Sequence, residues 1–173
     1  MKRFVLLAAL VCMFTLTYAQ TNPIDQMFDK YSERKGFTTV YISSKLLGMF
    51  VPKDEKNTSG SDIVNRIKSI RILTVEDSLL NQDVNFYKEL SSKLDLSKYE
   101  ELMAVKDAGE STKFLIKQKG NIITELLVIS GGTGGNTLIS IRGEMDLKTI
   151  SELSKSTGID ELDELDNLEK NKP

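Results

Sequence analysis

The stretch Ser111 to Arg142, STKFLIKQKGNIITELLVISGGTGGNTLISIR, contains three apolar runs of strand length separated by two glycine-bearing breaks. Such a pattern commits a chain to consecutive antiparallel strands. In the first run Phe114 and Ile116 share a face, and Lys119-Gly120 supplies a two-residue turn whose positive backbone angle suits a hairpin. The second, Ile122 to Ile129, is the longest apolar run beyond the amino-terminal leader. Alternation puts Ile123, Glu125, Leu127 and Ile129 on one face and Ile122, Thr124, Leu126 and Val128 on the other. A strand apolar on both sides belongs at the centre of a sheet covered on both faces. Thr137 to Arg142 alternates, with Ile139 and Ile141 opposite Ser140 and Arg142, which places it nearer an edge.

The first nineteen residues have the form of an export signal. Lys2 and Arg3 precede an apolar run from Phe4 to Leu16, too short to span a bilayer comfortably, and Thr17-Tyr18-Ala19 presents small residues for cleavage after Ala19. The mature chain would then begin at Gln20 and hold 173 − 19 = 154 residues, a length that suggests one domain. The expected division is a signal peptide at 1–19, a single domain at 20–158 and an acidic tail at 159–173.

Removing Lys2 and Arg3 leaves 21 basic against 25 acidic residues, a formal charge of −4 that draws the protein to neither nucleic acid nor an anionic membrane. Cys12, the only cysteine, lies inside the apolar run behind Val11, where it reads as a small apolar residue rather than a lipid attachment point. With no histidine anywhere and no cysteine after the leader, zinc and redox-metal sites of the usual kind cannot be built, and a Ser-His-Asp triad is excluded.

Asn22-Pro23 starts a helix near 24–34 with Ile24, Met27, Phe28 and Tyr31 on one stripe, ended by Gly36. Phe37 to Ile42 is a strand, Ser43-Ser44 caps a short helix to Phe50, residues 53–60 form an exposed loop, and Ser61 or Asp62 caps a short helix leading into a strand near 68–75. Leu80, Val84, Tyr87 and Leu94 predict the longest helix, over 79–95. Tyr99 to Asp107 favours a strand after a brief helical turn, and Ala108-Gly109 is the next turn. Asp146 caps a last helix over 146–156 bearing Leu147, Ile150 and Leu153. In the tail, Ile159, Leu162, Leu165 and Leu168 recur every three residues and so form no lasting helical stripe, which suggests a marginal helix or a frayed end. The expected fold is α+β. A mainly antiparallel sheet with strands near 101–106, 112–118, 121–129 and 137–142, plus a pair near 37–42 and 68–75, packs against two or three helices.

Several stretches invite a chemical reading, and each has a simpler one. Ser130 to Gly135, SGGTGG, lacks the Lys-Ser/Thr of a phosphate loop and is followed by a strand, so it is a flexible loop between antiparallel strands. Ser32 and Lys35 have Ser-x-x-Lys spacing without the companion motifs of penicillin-recognising enzymes. Asp160, Glu161, Asp163, Glu164 and Asp166 lack the spacing and central glycine of a calcium loop and read as a solvated face. Glu100-Glu101 and Glu144 with Asp146 are explained by alternation and capping, and Arg34, Lys35, Arg66, Lys68 and Arg71 by surface charge. No catalytic, cofactor-binding or metal-ligating residue is assigned.

The segments FDKYSERKGFTTVYISSKLLGMF, YEELMAVKDAGESTKFLIKQKGNIITELLVIS and LISIRGEMDLKTI resemble the domain-of-unknown-function 4252 family of exported proteins from Gram-negative bacteria. Lys35-Gly36-Phe37, Glu100-Glu101-Leu102-Met103 and Gly143 carry the resemblance. It implies one exported domain in the periplasm or at the outer membrane, and it implies no activity and no site. The expected function is a non-enzymatic envelope protein that binds a protein partner or a ligand, because an export signal precedes a compact domain without the usual catalytic residues. The alternatives are a carboxylate-dependent hydrolase or lyase, and a structural component that self-assembles through exposed strand edges.

Overall fold

The first helix forms where the cap chemistry demands it. In α1 (Pro23–Tyr31) the Asn22 side chain accepts the Ile24 N–H at 2.9 Å, and proline occupies a first-turn position that needs no donor. Its stripe of Ile24, Met27, Phe28 and Tyr31 is buried. The computed structural model, which describes residues 22–50, 66–75, 79–107 and 109–146, lays α1 against one face of a six-stranded antiparallel sheet.

The strands are β1 (Phe37–Ser43), β2 (Ile67–Val75), β3 (Glu100–Asp107), β4 (Glu110–Lys119), β5 (Ile122–Gly131) and β6 (Asn136–Met145), in the spatial order β1-β2-β6-β5-β4-β3. A short α2 (Ser44–Phe50) follows β1, with Ser43 Oγ accepting the Leu46 N–H at 3.3 Å. Between β2 and β3 lie α3 (Leu80–Asp83), α4 (Phe86–Ser91) and a 3-10 turn at Leu96–Lys98. This is the expected α+β arrangement, with the pair formed by β1 and β2 joined to the same sheet.

Strand alternation builds two cores, one on each face. Leu126 and Val128 of β5 join Ile70, Phe114, Ile116, Ile139, Ile141 and Leu47, whereas Leu127 and Ile129 join Leu73, Leu115 and Leu138 beneath Phe28, Phe86 and Leu90 of α1 and α4. Full burial of such a side chain contributes about 1.5–3 kcal/mol.

Four local expectations are corrected. β6 is not near an edge: it lies between β2 and β5, and Ser140 is buried, because its polar residues find buried partners instead of solvent. Ile123 does not share a face with Leu127; a register shift between Ile123 and Glu125 turns it into the opposite core, with Leu126 and Val128. The β4–β5 turn is one residue later than expected, since Lys119 pairs with Ile122 and Gly120 takes the positive φ of 62°.

The helix expected over 79–95 is broken. Val84 is extended (φ −117°, ψ 140°), and Asn85 restarts the chain by accepting the Lys88 N–H at 2.8 Å. Asn136 of β6 then holds the break. Its Oδ1 accepts the Phe86 N–H at 2.9 Å, and its Nδ2 donates to Asn81 Oδ1 at 2.9 Å and to the Gly132 carbonyl at 3.1 Å. The expected leader, loop at 53–60, helix after Ser61 or Asp62, helix at 146–156 and acidic tail lie wholly or almost wholly outside the described residues.

Candidate binding site

A cleft of about 620 Å³ opens where the end of α1, the start of β1 and the α3–α4 break meet. It is lined by Lys30 and Tyr31 of α1, Arg34, Phe37 of β1, and Asp83, Lys88 and Glu89 among others. The stripe that buries α1 ends on Tyr31, whose ring stacks on Phe37 with centroids 4.5 Å apart and tilts against Phe86 at 5.3 Å. Arg34 lies over this aromatic floor, 5.3 Å from the Tyr31 centroid and 5.5 Å from that of Phe37.

Glu89 is the most heavily engaged charge in the cleft. It takes hydrogen bonds from Lys30 Nζ at 2.7 Å, Tyr31 Oη at 2.7 Å and Lys93 Nζ at 3.0 Å. Burial by itself would raise the Glu89 carboxyl, but these donors outweigh it and hold the group down to about 2. Burial raises Tyr31, and the bond and negative charge of Glu89 add to that. Lys30 is raised despite burial, by its bonds to Glu89 and Tyr31. Arg34 and Lys88, both exposed, have no side-chain hydrogen bond or ion pair to an acid among the described residues. Lys30, Arg34 and Lys88 thus line the cleft with the two carboxylates Asp83 and Glu89, and Lys93 pairs with Glu89 at 3.0 Å.

A second polar assembly lies beneath α1 and is structural. Glu125, 5% exposed, accepts Tyr99 Oη at 2.8 Å, Ser140 Oγ at 3.1 Å and Arg142 Nε at 2.7 Å. Arg142 reaches on to Asp25 of α1 at 2.9 Å, and Asp25 also pairs with Arg71 of β2 at 2.7 Å. Arg71 sits 4.1 Å from the Phe28 ring centroid. The chain of charges ties α1 to β2, β5 and β6. Burial pushes the Tyr99 hydroxyl well above its ordinary range, and the adjacent Glu125 charge and hydrogen bond push it further.

The residues singled out in the sequence are scattered. Ser32 caps the end of α1 and donates to the Asp29 carbonyl at 3.1 Å, while Lys35 is exposed beyond it, so the Ser-x-x-Lys spacing makes no nucleophile. Glu100 accepts from Gln118, and Glu101 pairs with Lys113 at 2.5 Å, both on the outer strand β3. Glu144 is exposed on β6. Arg71 is no free surface charge, being bound to Asp25.

Within the glycine run Gly131, Gly132 and Gly134 lie close against their neighbours, while Gly135 has open space around it. A Cβ on Gly131 would stand 2.5 Å from Asn85 Oδ1 and 2.8 Å from the Tyr87 nitrogen, and one on Gly134 would collide with the Glu110 carboxylate. Its glycines let the β5–β6 turn fit against α4 and the β3–β4 turn. Among the described residues no cluster of three or more potential metal ligands is gathered, and no helix is long and apolar enough to cross a membrane.

Sequence reasoning missed the cleft. Lys30 and Glu89 lie 59 residues apart, and no local pattern announces their pairing. The one available signal was the run Lys30-Tyr31-Ser32-Glu33-Arg34-Lys35, which puts cations and an aromatic ring together at a helix end.

An antiparallel six-stranded sheet with α1 and α4 on one face and a cation-rich cleft at the end of α1 defines an α+β protein with an open cleft. The model of a family described as a domain of unknown function, DUF4252, matches residues 31–153, and the chain belongs to that family. The matched segment includes most of the cleft lining. No curated protein and no solved structure matches the chain.

Proposed function

We propose that this is an exported, non-enzymatic binding module of the bacterial envelope whose cleft receives an anionic group of its ligand or partner. The observation that carries the reading is the pair Arg34 and Lys88, two cations without an acidic partner among the described residues, beside a stacked aromatic floor. Glu89 organises this site without cancelling it, because Lys30 and Lys93 already meet its charge. A guanidinium resting on rings keeps its in-plane N–H donors available to a carboxylate or phosphate and loses little freedom on binding. Export is supported by Lys2-Arg3, the apolar run Phe4 to Leu16 and the small residues before Gln20.

The test is calorimetric titration of the purified protein with acidic peptides and with mono- and dicarboxylates. Binding that weakens as salt rises and is lost in Arg34→Glu and Lys88→Glu supports the reading. Equal binding by wild type and both variants overturns it. Fractionation of the native host, with determination of the amino-terminal residue, tests export: a cytoplasmic chain that retains Met1 refutes it.

A further inference from the structure

The cleft wall carries a charge of the other sign that the fold does not use. Asp83, the last residue of α3, is exposed there and makes no side-chain hydrogen bond or ion pair among the described residues. Glu89, in contrast, is met by Lys30, Tyr31 and Lys93. Two cations, Arg34 and Lys88, and one carboxylate, Asp83, therefore line one cleft without pairing with one another. Opposite charges held in one cleft but not neutralised by each other complement a ligand that bears both signs.

The backbone keeps these groups apart. Asp83 stands before the α3–α4 break and Lys88 after it, with extended Val84 between, while Arg34 follows α1. Asn136 of β6 anchors both sides of the break, through Asn81 of α3 and the Phe86 N–H of α4, so the sheet sets the spacing. The Tyr31–Phe37 stack and half-buried Leu80 and Val84 give the same cleft an apolar surface. Its volume of about 620 Å³ lies within the roughly 300–1,000 Å³ of small-molecule sites, which are apolar pockets with a few placed polar groups. A ligand with negative charge alone would leave Asp83 unmatched, and one with positive charge alone would meet Arg34 and Lys88.

We infer that the cleft takes a small zwitterion with an apolar body, an apolar amino acid or a short peptide, whose carboxylate lies with Arg34 and Lys88 and whose ammonium lies with Asp83. The cations supply attraction for the acid end, the rings and aliphatic side chains receive the apolar body, and Asp83 selects for the amino group. The inference rests on the binding-module reading and names the class of ligand.

Calorimetric titration of the purified protein with leucine, dileucine and trileucine, each also in its N-acetyl and its C-amide form, tests it. At least one free form should bind, and the one that binds best separates an amino-acid site from a peptide site. Acetylation removes only the ammonium and should weaken that ligand at least about tenfold in wild type but less than about twofold in Asp83→Asn. Amidation removes the carboxylate and should weaken it at least about tenfold in wild type. Asp83→Lys should reverse the order, so that the acetylated form binds better than the free one, a reversal that a merely structural role for Asp83 does not produce. Asp83 is exposed, so unfolding midpoints of both variants should match wild type.

Free and acetylated forms that bind wild type equally, with loss in Arg34→Glu, overturn the zwitterion while the anion reading survives. Binding of simple carboxylates but of no free amino acid or peptide has the same meaning. An acetylation penalty unchanged in Asp83→Asn overturns the role of Asp83. Binding of neither carboxylates nor zwitterions removes both readings.

Discussion

Replacing Glu125 with leucine removes the acceptor on which three donors from β3's approach and β6 converge, and its effect can be worked from the geometry. Ser140, 1% exposed, loses the carboxylate it bonds at 3.1 Å, and a buried hydroxyl left without a partner costs about 1–3 kcal/mol. Tyr99 is half-buried and loses a bond of 2.8 Å, about 1 kcal/mol after water is readmitted to its hydroxyl. Arg142 loses its 2.7 Å partner but keeps Asp25 at 2.9 Å, so its share stays near 1–2 kcal/mol rather than the roughly 3–5 of a fully orphaned buried charge.

The expected destabilisation of Glu125→Leu is therefore about 3–6 kcal/mol. Glu125→Gln preserves shape and an acceptor oxygen and should lose about 1–2 kcal/mol. The double variant Glu125→Leu/Arg142→Leu should recover about 1–2 kcal/mol, the Arg142 share of the single-variant loss. It removes the charge left behind, and Arg142 Nη2 is already buried without a protein partner among the described residues. Urea unfolding followed by circular dichroism measures all three, provided the slope with denaturant is unchanged. A loss under about 1 kcal/mol for Glu125→Leu, or a double variant no better than the single, would refute the idea that this network is a coupled clamp holding α1 to the sheet.

Three further outcomes follow from the packing and charges. Gly131→Ala should destabilise by about 1–3 kcal/mol because its Cβ meets Asn85 Oδ1 at 2.5 Å and the Tyr87 nitrogen at 2.8 Å, whereas Gly135→Ala, with open space around it, should stay within about 0.5 kcal/mol of wild type in thermal melts. Asn136→Ala should cost about 2–4 kcal/mol in urea unfolding, since it leaves the Phe86 N–H, Asn81 and the Gly132 carbonyl without their shared partner; hydrogen exchange should rise first around Phe86. Glu89 has a depressed folded-state pKa of about 2 against an ordinary 4.5, so its contribution is complete above about pH 4.5 and is lost as pH falls toward 2. Solvent screening at the cleft reduces that contribution to about 1–2 kcal/mol, and the stability gap between wild type and Glu89→Gln should close over that acid range. A gap that stays constant from pH 7 to pH 2 would contradict the assignment.

Much of the sheet was legible because its signals are local. Gly120 and Gly109 mark turns, β4 and β5 carry their apolar residues in recognisable runs, and hairpin connection then leaves little choice but antiparallel neighbours. The helix break at Val84-Asn85 was not legible, because the apolar spacing runs straight through it and the residue that holds it open, Asn136, arrives about fifty positions later. The cleft was equally hidden: Tyr31 and Phe37 read as ordinary core residues, and Glu89 as one acid among many, until folding brings them together.

The sequence by itself determined the α+β class, the six strands and the stripe of α1, since each depends on the period of side chains along a few adjacent residues. Tertiary structure alone decided the place of β6. Ser140 and Arg142 read as a solvated face, yet Arg142 is joined to Asp25 across 117 residues and both side chains bond to Glu125, so polar groups are satisfied inside the protein. Alternation reports only polarity. Whether a polar residue meets water or a buried partner depends on contacts that exist only after distant parts of the chain have met.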